Sequence, residues 1–385
     1  MNRTTYAVPR KDSAETDSSS GPMRILIATD AWRPQVNGVV HTLEATAQAA
    51  KSLGAEVSFL TAEGFPTVGL PSYPGIRIAL PRAREISRRI SAARPDAVHI
   101  ATEGPIGYFV RRFCLANRLS FTTSLHTRFA DYLAARWPIP PNWTWRWMRR
   151  FHNAGRGTMV STASLAQELR SHGFNNVLRW PRGVDSALFH PERACDLGLK
   201  RPVFLTVGRL AVEKNLDAFL ALDLPGTKVV VGDGPARAAL ESGHRDVVFL
   251  GTKHGAELAA IYAGADVFVF PSRTDTFGLV LLEALASGLP IAGFPVPATQ
   301  DVVGAAPVAA LDNDLRAACL AALTIPRHAC RQYGETMTWE ASARSFLGNL
   351  VSFRHSAAVP LASSSLVGRT GWGPQAPGVW TQTPP

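Results

Sequence analysis

The sequence predicts an α/β protein built from two doubly wound, parallel-sheet domains, and three observations carry that prediction. Short β-branched runs alternate with amphipathic or Ala-rich helical stretches along most of the chain. That is the pattern of a parallel sheet covered by helices on both faces. The chain has 385 residues, 46% of them hydrophobic, enough for two cores of ordinary size. A turn-rich stretch without periodicity, 180–202, separates the two alternating blocks.

Composition sets the outer limits. Residues 1–22 are polar and Ser-rich with no apolar core, so they read as a disordered segment and not as a secretory leader. No apolar run approaches 18 residues, and no membrane-spanning helix is expected. Four cysteines (Cys114, Cys195, Cys319 and Cys330) are scattered without a CxxC pair and read as buried or inert thiols of a reducing compartment. The net charge of +10 suits nucleic acid, an anionic membrane or simply a basic proteome. No helix-turn-helix, zinc-finger or RNA-binding motif is present, so nucleic acid is the weaker partner.

The first block, 23–185, opens with RILIAT as a buried strand. Asn37-Gly38 makes a turn, and a helix is expected over 39–53, stopped by Gly54. A strand, a glycine turn and a helix can seat a phosphate, although many such turns carry glycine only for packing. Further strands are expected at 56–60, 77–80, 97–100, 121–124, 158–161 and 177–178. His126, in SLHTRF, falls just past a strand end, where open α/β sheets bind ligands; a lone histidine is otherwise an ordinary core or surface residue.

Two basic stretches stand out in this block. RWPIPPNWTWRWMRRFHNAGRGT, 136–158, holds Arg136, Arg146, Arg149, Arg150 and Arg156 with Trp137, Trp143, Trp145 and Trp147, and no acid lies between Asp131 and Glu168. Tryptophan with arginine favours the headgroup layer of an anionic membrane. The competing account is a helix with its tryptophan face packed on the core. A second basic helix, 82–94, carries five arginines and one acid.

The second block, 186–338, has strands expected at 203–207, 228–231, 247–250, 266–270 and 290–293. Gly208 and Arg209 follow the first of these directly, and Lys214 comes just before a helix; two cations at a strand's carboxyl end suit a diphosphate. VGDGPAR, 231–237, starts like a dinucleotide fingerprint but lacks the third glycine, which argues against NAD. Asp312-Asn313-Asp314 has DxD form but opens a helix and follows no core strand, so helix capping accounts for it better than a metal. Residues 339–353 form a last helix, and 354–385 read as a mobile tail.

The chain is organised around DVFVFPSRTDTFGLVLLEALASGLP, 266–290. An apolar strand, a polar turn and a helix over 277–286 follow one another, and Gly288 and Pro290 stop the helix. Asp275 or Thr276 is expected to cap it, leaving the N–H groups of Phe277, Gly278 and Leu279 for a phosphate. Glu283, about 9 Å further along the axis, sits among leucines and alanines. A buried carboxylate needs partners: either a structural donor or the hydroxyls of a ligand.

Asp275-x7-Glu283 around Thr276-Phe277-Gly278 resembles the E-x7-E motif of retaining GT-B glycosyltransferases, family 4. GRLxxEKN at 208–215, RGVDxxxFHP at 182–191 and the G-x-G-P turn at 232–235 resemble that family's other motifs in the expected order, over about 23–350. The resemblance implies two facing Rossmann-like domains with an interdomain cleft, the helix from Trp339 crossing back onto the first. It implies that Glu283 binds the nucleotide ribose, and that Asp275, where most members have Glu, lies by the donor sugar with His126. Arg209 and Lys214 then neutralise the leaving diphosphate, with Glu213 orienting Lys214. Gly38 gives backbone room across the cleft and Asn37 touches the acceptor. Gly251 holds the base through its backbone, and Asp185 caps a turn. Arg182 stands where the family usually has Asn.

The activity so implied is transfer of a sugar from a nucleotide-diphosphate donor, a UDP-sugar or GDP-mannose, without a metal or other cofactor. The lipid-glycosylating bacterial branch is the nearest in pattern, which makes a membrane lipid such as diacylglycerol or a glycolipid the expected acceptor. The expected place is cytoplasmic, peripheral on the inner face of the cell membrane. A soluble or polysaccharide acceptor, a sugar-nucleotide 2-epimerase of the same fold, and an inactive membrane-bound scaffold stay open as alternatives.

Overall fold

The computed structural model describes residues 21–35, 37–70, 73–126 and 140–352. Of the segments expected above to be disordered, 1–20 and 354–385 lie outside the described residues, as do residue 353 and Arg136 and Trp137.

The first half alternates strands and helices as the patterning requires: β1 (Met23–Ala28), α1 (Gly38–Ser52), β2 (Ala55–Leu60), β3 (Thr67–Leu70), β4 (Tyr73–Ala79), α2 (Ala83–Ala93), β5 (Ala97–Ile100), α3 (Pro105–Ala116), β6 (Thr122–Ser124), α4 (Pro141–His152), β7 (Gly157–Val160), α5 (Ala163–Ser171) and β8 (Val177–Arg179). Its six-stranded parallel sheet runs β2-β1-β5-β6-β7-β8. Residues 77–80 do not join it. Residues 77–79 end β4, which pairs antiparallel with β3 in a separate ribbon.

The second half comprises β9 (Val203–Val207), α6 (Asp217–Leu220), β10 (Thr227–Val231), α7 (Arg237–Gly243), β11 (Val248–Phe249), α8 (Gly255–Gly264), β12 (Val267–Phe270), α9 (Leu279–Ala286), β13 (Ile291–Gly293), α10 (Pro297–Val303), β14 (Ala309–Leu311), α11 (Leu315–Ala322), α12 (Arg327–Glu335) and α13 (Trp339–Asn349). Its parallel sheet runs β11-β10-β9-β12-β13-β14, with β14 not anticipated from sequence. Parallel sheets must be covered on both faces, and each sheet has an apolar cluster on either side. Leu205, Phe268 and Leu282 belong to one cluster of the second sheet, and Phe204, Val269 and Cys319 to the other.

α13 crosses back to the first half as expected. Phe346 is fully buried there, its ring 4.8 Å from Trp180 and 5.1 Å from His99. Asp314 caps α11 through the amides of Arg316 and Ala317, which gives the DxD-like run its structural job. Asp185 caps its turn through Ala187 and Leu188. Three cysteines are buried, and burial pushes the Cys114 and Cys319 thiols up to about 12; Cys195 is exposed.

The helix at the centre of the sequence pattern begins later than predicted. α9 starts at Leu279, because Gly278 adopts φ 83°, a left-handed conformation that ends the extended approach and serves as the cap position. Its far end closes as a Schellman turn at Gly288, with Leu289 N–H on the Ala284 carbonyl at 2.8 Å. A Cβ on Gly278 would also lie 3.0 Å from Phe270 Cζ. Gly278→Ala is therefore expected to lower stability by about 1–2 kcal/mol, read as a fall in Tm by scanning calorimetry.

Candidate active site

Topology puts the site where the loops part. In the second sheet, the loop after β9 leads toward β10 on one side and the loop after the adjacent β12 leads toward β13 on the other. A crevice at the carboxyl ends of such a pair is where open α/β sheets take ligands. The segments emerging there are Gly208–Lys214 after β9 and Pro271–Gly278 after β12. Arg209 and Lys214 thus flank the same crevice as Asp275 and the start of α9. Gly251 follows β11 in the same row of strand ends, its carbonyl taking the Gly232 N–H at 2.8 Å.

Lys214 Nζ lies 2.5 Å from Asp275 Oδ1, joining a cation of the first loop to the acid of the second. The other oxygen, Asp275 Oδ2, is buried without a hydrogen-bond partner. This pairing corrects two expectations. Asp275 does not cap the helix, because its carboxylate is drawn to Lys214. Glu213 does not orient Lys214; the exposed Glu213 contributes its backbone carbonyl to Ser272 and Thr274 instead. Thr276 is not the cap either: its hydroxyl donates to the His126 carbonyl at 2.9 Å, across the cleft.

With Gly278 as cap, the first intrahelical bond of α9 runs from Leu281 N–H to the Gly278 carbonyl. The Leu279 and Val280 amides are helix-end donors, as the positive end of any helix dipole provides. The expected amide set of Phe277, Gly278 and Leu279 therefore shifts by about one residue toward the helix. Glu283 is half-buried one turn further in, and Tyr262 Oη donates to its Oε2 at 2.9 Å. Burial raises the Glu283 carboxyl to about 7, and the Tyr262 hydroxyl pulls it partly back.

The first half closes over this loop. A Cβ on Gly38 would lie 3.7 Å from Leu279 Cδ1, so this glycine faces the donor helix across the cleft. Asn37 also works locally: its Oδ1 caps α1 through the Val39 and Val40 amides, each at 3.0 Å. A cavity of about 20 Å³ lies between Thr162 and Leu165 of the first half and Arg273, Asp275, Thr276, Pro297 and Ala298 of the second. Beside it, Asp301 of α10 accepts the Ser164 N–H at 3.0 Å, capping α5 from the opposite half.

His126 sits at the rim, but its ring is engaged inward. Nε2 is 2.8 Å from Ser124 Oγ, and Nδ1 is 3.3 Å from Arg182 Nη2. Burial, Arg182 and His99 hold the imidazole well below its usual range, so it is neutral. What His126 presents to α9 is its carbonyl.

The first sheet has its own parting of loops, between β1 and β5. Asp30 and Glu103 lie there, and pattern reading passed over both. Asp30 accepts the Ile106 and Gly107 amides of α3 and the Thr102 hydroxyl. Glu103 Oε1 pairs with Nε2 of the fully buried His152 at 3.1 Å, and His152 Nδ1 meets Thr123 Oγ1 at 2.8 Å. A carboxylate three residues past a predicted strand end was the available signal for Glu103. Tyr262 and Asp301 gave none, since their partners are 21 and 137 residues away, and Arg182 was marked only by standing where the resembling family usually has Asn.

α4 divides as a helical wheel demands. Thr144, Met148, Phe151 and His152 are buried, and Trp145 stacks on His172 with ring centroids 3.9 Å apart. Trp143, 70% exposed, and Trp147, 41% exposed, share the outer face with Arg146, Arg149 and Arg150. Among the described residues no helix is long and apolar enough to cross a membrane, and no group of three or more metal-ligating side chains is found.

Comparison with known proteins identifies the family and the fold. The family description "Glycosyltransferase Family 4" matches residues 36–188, and "Glycosyl transferases group 1" matches 201–324. A GDP-mannose-dependent alpha-mannosyltransferase of Mycobacterium tuberculosis is 30% identical over 309 residues, 73% of this chain and 81% of that protein. An alpha-monoglucosyldiacylglycerol synthase of Streptococcus pneumoniae is 25% identical over 368 residues, 84% of this chain and 83% of that protein. Among solved structures, a sucrose-phosphate synthase from Thermosynechococcus elongatus superposes with a TM-score of 0.69 at 18% identity, covering 85% of this chain and 98% of that one. At that identity the likeness concerns the fold, which is GT-B.

Proposed function

Since this chain belongs to glycosyltransferase family 4, we propose that it is a retaining, metal-independent hexosyltransferase. In this reading it moves a sugar from a UDP-sugar or GDP-mannose to a hydroxyl of a membrane lipid, such as a diacylglycerol or a glycolipid. The observation that carries the donor side is the Lys214–Asp275 pair standing beside the open amino end of α9, with Glu283 one turn inside it. That end offers amides to a diphosphate, Arg209 and Lys214 offer cations, and Glu283 accepts from the ribose hydroxyls.

The reaction breaks the anomeric C–O bond to the diphosphate and forms a new one to the acceptor oxygen. Negative charge grows on the departing phosphate, where the two cations and the amides oppose it. The acceptor hydroxyl approaches the same face and passes its proton to a phosphate oxygen, so nucleoside diphosphate leaves protonated. Asp275, tied to Lys214, lies on the sugar side. Glu103, at the parting of the first sheet, is a carboxylate within the acceptor half.

The acceptor reading rests on α4. Two exposed tryptophans on a face with three arginines and no acid suit an anionic headgroup layer, where each arginine contributes about 1 kcal/mol. The relative that acts on a diacylglycerol lipid supports the same class. The test is nucleoside diphosphate release from UDP- and GDP-sugars, with and without anionic liposomes containing diacylglycerol. Liposome-dependent release is expected. Trp143→Ser/Trp147→Ser should reduce vesicle binding about tenfold with nucleotide affinity unchanged. Release indifferent to liposomes would instead indicate a soluble acceptor, hydrolysis or epimerase chemistry. Firm vesicle binding without release from any donor would indicate a scaffold.

A further inference from the structure

Arg182 lies on the linker between the two sheets and is only 5% exposed, yet no carboxylate pairs with it among the described residues. Its Nη1 donates to the Trp180 carbonyl at 2.7 Å, its Nη2 to His126 Nδ1 at 3.3 Å, and its guanidinium stands 4.4 Å over the Trp180 ring. Among the described residues the charge that acts on it is that of another cation, Arg179. Burial lowers its pKa to about 9, which still leaves it charged at neutral pH. A buried cation is expensive to keep, and an apolar side chain of similar volume is commonly no less stable.

We propose that Arg182 is a positioning residue for the transfer reaction, fixing the tautomer and orientation of His126 at the rim of the cleft; this rests on the glycosyltransferase reading above. The argument is one of donors and acceptors. A guanidinium only donates, so His126 Nδ1 must accept, and the neutral ring carries its hydrogen on Nε2. That hydrogen goes to Ser124 Oγ at 2.8 Å. Ser124 Oγ is left to donate its own hydrogen to His99 Nε2 at 3.1 Å or to the Ala101 carbonyl at 3.4 Å. His99 Nδ1 meets Thr122 Oγ1 at 2.9 Å. Among the described residues, Arg182 from the linker and His99 from β5 are the charged or titratable groups that act on His126, and burial holds His99 neutral as well, its pKa lowered to about 3. The direction of the run is thus set at its linker end by a group that cannot accept. The backbone of the same histidine delivers its carbonyl to Thr276, two residues before the Gly278 cap of α9. Linker, first sheet and donor loop are joined through one residue, His126, by its ring and its carbonyl.

The test is Arg182→Met, with Arg182→Lys as the conservative variant. Arg182→Met should keep a Tm at or above that of the parent protein and bind nucleoside diphosphate within about twofold of it, since Arg209, Lys214 and α9 are untouched. Its kcat should fall about 30- to 100-fold, the scale of a small misplacement at a reacting centre. Arg182→Lys, which still donates to Nδ1, should recover part of that loss. Histidine NMR, with His126 assigned by its disappearance in His126→Gln, should show one neutral Nε2–H tautomer in the parent from about pH 5.5 to about pH 8 and a mixture in Arg182→Met. An unchanged kcat, or a kcat that falls only in step with Tm and nucleotide affinity, would overturn the proposal. If the parent protein turns over no nucleotide sugar, the functional reading fails; the tautomer spectrum still decides whether Arg182 orders His126.

Discussion

Lys214→Ala lowers kcat/KM by about 10²- to 10³-fold, the scale of removing one preorganised donor from a developing oxyanion. The loss has two parts. The diphosphate forfeits a cation at the strand end after β9. Asp275, whose Oδ1 holds Lys214 at 2.5 Å and whose Oδ2 is buried without a partner, is left as an unopposed carboxylate facing the same anion. Neutralising that acid should therefore relieve part of the damage. Asp275→Asn alone is expected to be milder than Lys214→Ala, and the double variant should be less impaired than the product of the two single losses. Initial rates of nucleoside diphosphate release at limiting donor measure all three. A Lys214→Ala enzyme within about fivefold of the parent would remove Lys214 from the site.

Glu283 gives the second large effect, and it has a pH signature. Burial raises its carboxyl to about 7, so in the free enzyme it is substantially protonated at neutral pH. Accepting from both ribose hydroxyls requires the carboxylate. Donor KM should thus rise as pH falls through 7, approaching about tenfold per unit well below it. Glu283→Gln should show a high KM with little pH dependence, while retaining the Tyr262 contact as an acceptor. Stability moves the opposite way. The folded pKa lies above the ordinary value of 4.5, so the folded state holds the extra proton between those limits. Glu283 consequently destabilises the protein progressively as pH rises from about 4.5 to about 7, and fully above that. Glu283→Gln should melt higher than the parent at about pH 8, with the gap closing toward about pH 5. A variant that is both less active and more stable is the mark of a carboxylate kept for a ligand.

Much of this architecture was legible because it is local. The βα alternation, the Schellman turn at Gly288 and the caps at Asp185 and Asp314 all follow from residues within a turn of one another. The start of α9 was misplaced because its decisive interactions are distant. Asp275 is claimed by a lysine 61 residues away and Thr276 by a carbonyl 150 residues away, so neither was available as a cap. Residues 77–80 carry the composition of a strand, but composition does not say which strand they pair with; β3 took them out of the main sheet. Asn37 is a helix cap, a role that the sequence Asn-Gly before a helix leaves undecided against a simple turn. Arg182, Tyr262 and Glu103 owe their interest to burial and partners, which periodicity does not report.

The central claim is the donor seat: a diphosphate on Arg209, Lys214 and the amino end of α9, with the ribose on Glu283. A crystal structure of the protein with a nucleoside diphosphate tests it most directly. The account predicts phosphate oxygens within hydrogen-bond distance of Lys214 Nζ and the Leu279 amide, and ribose hydroxyls on the Glu283 carboxylate. A nucleotide bound elsewhere, or bound here with Glu283 still engaged only by Tyr262, would contradict it.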